Sequence, residues 1–129
     1  MPQQQKPSDL EITTETAGSE NHVTIITVKG AFLNDNYKGL ETEMNKHIIP
    51  GKQSNFILEM NEVTFLNRTG LRLMINYLKP VRTHGGDIKI ANPSDAIKGL
   101  MDMTSIKRLF DFYDSKEQAL SDYESTQYL

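Results

Sequence analysis

Apolar positions along the chain mark out a run of short elements. Leu10 to Ala17 alternates weakly and is rich in threonine, which predicts a strand. Val23 to Val28 is rich in β-branched residues and predicts a stronger one. The turn-forming Gly18-Ser19-Glu20-Asn21 between them makes the pair a hairpin. Gly30 closes the second strand, and Asn34 or Asp35 stands where a side chain caps a following helix. Tyr37, Leu40, Met44 and Ile48 recur at helical spacing, and Pro50-Gly51 ends that helix. Phe56-Ile57-Leu58-Glu59-Met60 is nearly continuous in apolar character, as expected of a strand covered on both faces. A second short apolar run, Val63-Thr64-Phe65-Leu66, leads into Asn67-Arg68-Thr69-Gly70.

Beyond that turn, Leu71, Met74, Ile75 and Leu78 fall on one helical face, and Leu73 and Tyr77 widen it. Pro80 removes a backbone bond and crowds the preceding turn, at a cost of roughly 3 kcal/mol. The helix is therefore expected to kink or end near Lys79, with His84-Gly85-Gly86 as its stop. Ile88 and Ile90 alternate with polar neighbours, as in a half-buried strand. Asn92-Pro93-Ser94-Asp95 reads as a helix start, with Pro93 near the first turn, and Ile97, Leu100 and Met101 give the helix its apolar face. Leu109 to Tyr113 contains a last short strand. Ser115 and Gln118 match a capping box ahead of a terminal helix carrying Ala119, Leu120 and Tyr123. Strands alternating with helices after a hairpin predict an α/β fold. Its mixed β-sheet would have about 4–5 strands, covered by about four helices. The polar stretch 1–8, with two prolines, is expected to be a disordered arm, leaving 9–126 as a single domain.

The length of 129 residues suits one domain. A net charge of -3 argues against a basic nucleic-acid surface. The chain has no cysteine, so disulfides, iron–sulfur clusters and thiolate zinc sites are excluded. No apolar run approaches the ~20 residues that span a bilayer, and Met1 to Ser8 lacks the apolar centre of a secretory signal. A cytoplasmic location is expected. His22, His47 and His84 lie in separate segments without metal-ligand spacing. Neither a nucleotide-binding glycine motif nor a nucleophile elbow is present. No cofactor and no catalytic residues are expected.

From Phe56 onward the order of motifs resembles the STAS domain family, and within it the bacterial anti-sigma factor antagonists. The parts are the strand Phe56–Met60, the turn Thr64-Phe65-Leu66-Asn67-Arg68-Thr69-Gly70-Leu71, and the stretch Gly85-Gly86-Asp87-Ile88-Lys89-Ile90-Ala91-Asn92-Pro93. Arg108-Leu109-Phe110-Asp111-Phe112-Tyr113-Asp114-Ser115 completes the series, and Gly30-Ala31-Phe32-Leu33 is similar to the family's element before its first helix. The resemblance implies a protein–protein contact module rather than an enzyme. Such a module binds a serine/threonine kinase anti-sigma factor of the GHKL type, thereby releasing a sigma factor, and a phosphatase resets it. Phosphorylation falls on a hydroxyl of an Asp-Ser-Ser-Gly turn, which aligns with Asn67, Arg68, Thr69 and Gly70. Thr69 is therefore the implied phosphoacceptor. Partner contacts are implied for Asn67, Arg68, Gly70, Leu71 and Arg72, together with Leu33, Asn34 and Asp35. Thr69 is also placed as a helix N-cap, and Gly70 as a close-packing glycine, roles that need no partner. Asn67 and Arg68 replace the family's Asp and first Ser. That departure supports an alternative, a non-switching STAS subunit of a larger assembly such as a stressosome-like scaffold or a lipid-transport complex.

Overall fold

The computed structural model describes residues 9–33, 36–48 and 54–127. In chain order its elements are β1 (Glu11–Ala17), β2 (Val23–Phe32), α1 (Lys38–His47), β3 (Asn55–Leu66), α2 (Arg68–Thr83), β4 (Asp87–Ala91), α3 (Asp95–Asp102), β5 (Asp111–Tyr113) and α4 (Lys116–Gln127). Short 3-10 turns occupy Ser19–Asn21 and Ser105–Arg108. Each strand pairs with the one before it, giving the sheet order β1-β2-β3-β4-β5. The hairpin pair is antiparallel and the other three pairs are parallel.

Parallel neighbours need a crossover, and α1, α2 and α3 supply the three. The strand order advances in one direction and such crossovers are right-handed, so all three helices fall on one face. There Leu40, Met44, Leu71, Met74, Leu78, Ile97 and Met101 pack with Ile26, Val28, Phe56, Leu58, Ile88 and Ile90. The opposite face is covered by α4, whose Ala119 and Tyr123 meet Val23, Ile25, Ile57 and Ala91. Consecutive residues of Phe56-Ile57-Leu58 thus enter two different cores, which accounts for their continuous apolar character.

The two apolar runs at 56–60 and 63–66 belong to one strand. Against β2 its register slips twice, between Thr27 and Lys29 and between Gly30 and Ala31. Each slip inserts an extra residue in β3, a β-bulge. Inward positions then come every third residue, at Met60, Val63 and Leu66, while Thr64 and Phe65 both face solvent. Gly30 sits at the second slip with φ 115, a backbone that residues with a Cβ rarely adopt. It does not close β2, which runs on to Phe32.

Other expectations also shift. The N-cap position of α1 is Tyr37, with no side-chain cap bond. Asn34, Asp35, Pro50, Gly51 and the 1–8 arm lie outside the described residues. Of the two outcomes expected at Lys79, a kink or an end, the end does not occur: α2 continues through Pro80 to Thr83. The carbonyl deprived of its donor belongs to Asn76, an exposed residue. Burying Leu78 and Val81 on either side of the proline contributes about 1.5–3 kcal/mol each, which outweighs the loss. Pro93 lies just before α3, whose cap is Ser94; the Ser94 hydroxyl accepts from Ile97 N and donates to Val63 O at 2.6 Å.

Strand β4 is buried on both faces, Lys89 included at 5 % exposure. The Lys89 ammonium lies 2.9 Å from Asp122, 3.3 Å from Asp111 and 3.1 Å from the Tyr113 hydroxyl. It also sits over the Tyr123 and Tyr113 rings, at 4.7 and 5.2 Å from their centroids. Burial alone pushes its pKa down, but the bonds to Tyr113 and Asp122 outweigh it and hold the pKa above the ordinary range. The same polar cluster, with the Tyr123 hydroxyl donating to Phe56 O at 2.9 Å, fastens α4 to the sheet.

Candidate functional site

The start of α2 is fixed by Asn67. Its backbone is extended, and its Oδ1 accepts from Gly70 N at 2.7 Å and from the Tyr37 hydroxyl at 2.5 Å. Asn67, not Thr69, is therefore the N-cap, because the cap side chain must precede the first helical residue to reach the amide three positions on. Thr69 is the second helical residue, exposed, and its hydroxyl makes no hydrogen bond among the described residues. The two hydroxyl-based expectations separate here: capping falls to an amide, and the hydroxyl is left open to solvent.

Gly70 explains how the helix start comes so close to the sheet. A Cβ there would stand 2.7 Å from Phe32 Cδ2 and 2.9 Å from Leu66 Cδ1. Phe32 is fully buried and Leu66 nearly so, and Leu71 follows into the same core at 7 % exposure. Gly70 and Leu71 thus face inward and seat the turn, whereas Arg68, Thr69 and Arg72 face outward. Neither arginine has an ion-pair partner among the described residues.

The loop after β2 meets this turn. Asn36 is buried, accepting from Leu33 N at 2.9 Å and donating to Ala31 O at 2.8 Å, which bends the chain as it leaves β2. Tyr37 then joins loop to turn through Asn67, its ring 5.6 Å from that of Phe32. Leu33 is left 38 % exposed, and Phe65, two residues before the cap, 52 %. The structure brings Leu33 together with 67–72 at the C-terminal ends of β2 and β3; Asn34 and Asp35 fall outside the described residues.

Sequence reasoning missed Asn36, Phe65 and the polar role of Tyr37. The signal for Phe65 was the three-residue interval between Met60, Val63 and Leu66, which simple alternation cannot produce. Elsewhere, a groove of about 490 Å³ runs between the start of β1 and α1, lined by Leu10, Ile12, Lys38 and Glu43. Another of about 310 Å³ lies beside Lys98, Met101, Lys107 and Phe112. Neither includes a residue of the 67–72 turn. No group of His, Asp or Glu among the described residues is arranged to hold a metal ion, and no helix among them is long and apolar enough to cross a membrane.

The profile of the STAS domain matches residues 13–119. An anti-sigma F factor antagonist of Paenibacillus polymyxa is 21% identical over 107 residues, covering 81% of this chain and 92% of its own length. Among solved structures, an anti-sigma factor antagonist from Mycobacterium paratuberculosis superposes with a TM-score of 0.74 at 16% identity, over 92% of this chain and 97% of that one. SpoIIAA, a Bacillus cell fate determinant, in its phosphorylated form superposes with a TM-score of 0.68 at 13% identity, over 88% and 99%. These likenesses establish the five-stranded mixed sheet and its helices as a shared fold. With most of its length matched by the profile, the chain belongs to the STAS domain family.

Proposed function

We propose that this protein is an anti-sigma factor antagonist that works by phosphorylation-controlled partner switching in the cytoplasm. In the unphosphorylated state it binds a GHKL-type serine/threonine kinase anti-sigma factor and so releases a sigma factor. The kinase transfers phosphate to Thr69, the complex separates, and a phosphatase restores the hydroxyl. The observation that carries this reading is the placement of Thr69: an exposed, unbonded hydroxyl in the first turn of a helix whose start is pinned by Asn67. Phosphate on an early helical residue is tolerated by the helix itself, since its N-terminus favours negative charge. The switch then acts on the partner surface rather than on the fold. Arg68, Arg72, Leu33 and the neighbouring Asn34 and Asp35 would face the kinase, while Asn67, Gly70 and Leu71 hold the turn in place. The anti-sigma factor antagonists among the relatives support the role.

The test is capture of the kinase-type anti-sigma factor from the same organism, with phosphopeptide mass spectrometry after incubation with ATP. Capture by the unaltered chain, its loss in Thr69→Glu and a Thr69 phosphopeptide are expected. Persistent absence of that phosphopeptide sinks the switch. Capture indifferent to Thr69→Glu leaves binding but removes control by charge.

A second reading has its own observation. Asn67 and Arg68 stand where relatives of the switching type carry Asp and Ser, so a non-switching subunit of a larger STAS assembly also suits this turn. A stable complex that forms regardless of phosphorylation favours it.

A further inference from the structure

Among the described residues four large apolar side chains are exposed: Leu33, Phe65, Met103 and Leu109. Two of them stand at the ends of adjacent strands beside the Thr69 turn. Phe65 is not there by default. The second bulge of β3 inserts a residue opposite the step from Gly30 to Ala31, so that Thr64 and Phe65 both face outward while Leu66 returns to the core. Bulges re-aim side chains next to functional sites, and opposite this one Gly30 takes φ 115. Aromatic side chains, Phe among them, are enriched at protein interfaces relative to the rest of the surface.

The charge beside it points to the partner. The first turns of α1, α3 and α4 carry Glu41, Asp95 and Glu117, as a helix N-terminus favours. The first turn of α2 has no acid; it opens on Arg68, with Arg72 one turn further. Both arginines are exposed and make no ion pair among the described residues, on a chain of net charge -3. Arg68 opposes the helix dipole and gains no neighbour in return. On β3, Glu62 is already engaged by Lys29 at 3.1 Å.

From this juxtaposition we infer that Phe65 and Leu33 form the apolar centre of a docking surface with Arg68 and Arg72 as its cationic rim. The partner surface it fits is an apolar pocket edged by Asp and Glu side chains. This deepens the reading given above and rests on it, the occupant being the anti-sigma factor. It also gives the switch its sign. A phosphate on Thr69 brings about -1.5 to -2 charges to the same exposed helix start as Arg68 and Arg72. Beside the rim it offsets the positive charge and repels an acidic pocket edge, so the phosphorylated form lets go.

The experiment is surface plasmon resonance of the full chain against the kinase-type anti-sigma factor of the same organism, at several salt concentrations. Phe65→Ser is expected to weaken binding at least tenfold, and Leu33→Ser to do the same to a smaller degree. Both should leave the thermal melt unchanged. Arg72→Glu is expected to slow association and flatten its salt dependence. Met103→Ser, equally apolar and 86 % exposed but at the far end of α3, serves as the control and should bind normally. Weakening by Arg72→Glu alone removes the apolar centre, and weakening by Phe65→Ser alone removes the acidic edge. Unchanged binding by both overturns the inference while leaving the antagonist role standing. Failure of the unaltered chain to bind removes both.

Discussion

Replacing Gly70 by alanine sets two known effects against each other at the heart of the turn. In a helix the exchange ordinarily stabilises by up to about 1 kcal/mol, because alanine loses less backbone freedom on folding. Here the added methyl meets Phe32 Cδ2 at 2.7 Å, Leu66 Cδ1 at 2.9 Å and Phe32 Cβ at 3.0 Å. Carbon atoms rest about 3.5–4.0 Å apart, so all three contacts are repulsive. The Phe32 ring has no room to retreat: it is fully buried and lies against Tyr37. The first turn of α2 must lift instead, stretching the bond from Gly70 N to Asn67 Oδ1. Overpacking of this kind costs about 1–3 kcal/mol, which exceeds the propensity gain. The expected net effect is about 1 kcal/mol of destabilisation, or a fall of about 3–8 °C in Tm for a domain this size. Gly99→Ala is the matched control, since nothing lies within 4 Å of a Cβ at that helical position. It should raise stability by the propensity term alone. The assay is urea unfolding followed by circular dichroism on both variants. If Gly70→Ala proves as stabilising as Gly99→Ala, the close approach of helix to sheet is not what requires this glycine.

Asn67→Asp keeps the capping acceptor and adds a charge at a helix N-terminus, so stability should rise by about 0.3–1 kcal/mol at neutral pH. A lower urea midpoint would contradict that. Asp122 bears on acid stability. Its hydrogen bond from Tyr113, then the one from Lys89, lower its pKa below the usual 3.8. A depressed carboxyl contributes stability that is present above the unfolded value and is lost as pH falls below it. Because the side chain is 46% exposed, solvent screening keeps the contribution under about 1 kcal/mol. Asp122→Asn should therefore lower stability at pH 7 and flatten its decline between about pH 5 and 2, as followed by thermal melts across that range.

Much of the scaffold was legible because its signals are local. The β-branched hairpin, the apolar stripe of α2, the Ser115–Gln118 cap and the double glycine at 85–86 each announce themselves within a few residues. What escaped reading depends on neighbours far along the chain. Whether Lys89 lies on an open face or under α4 is decided by Tyr113 and Asp122, more than twenty residues on, so alternation with Ile88 and Ile90 suggested a solvated side chain. Pro80 stays helical because Leu78 and Val81 have a sheet to pack on. At the site, the spacing of Asn67, Thr69 and Gly70 marked a helix start, but not which side chain caps it. That choice needed Tyr37, thirty residues earlier, whose hydroxyl bonds Asn67 as well.

The strict succession of the strands has a consequence for how the chain comes off the ribosome. Because every strand pairs with the one just made, the face beneath α1, α2 and α3 can close step by step as synthesis proceeds, without waiting for distant segments. The other face cannot. Val23, Ile25, Ile57 and the Lys89 ammonium are all laid down before α4, which is the element that shelters them. A nascent chain halted after β5 would carry a finished core on one side and a bare apolar floor with a charge in its middle on the other, an aggregation-prone form.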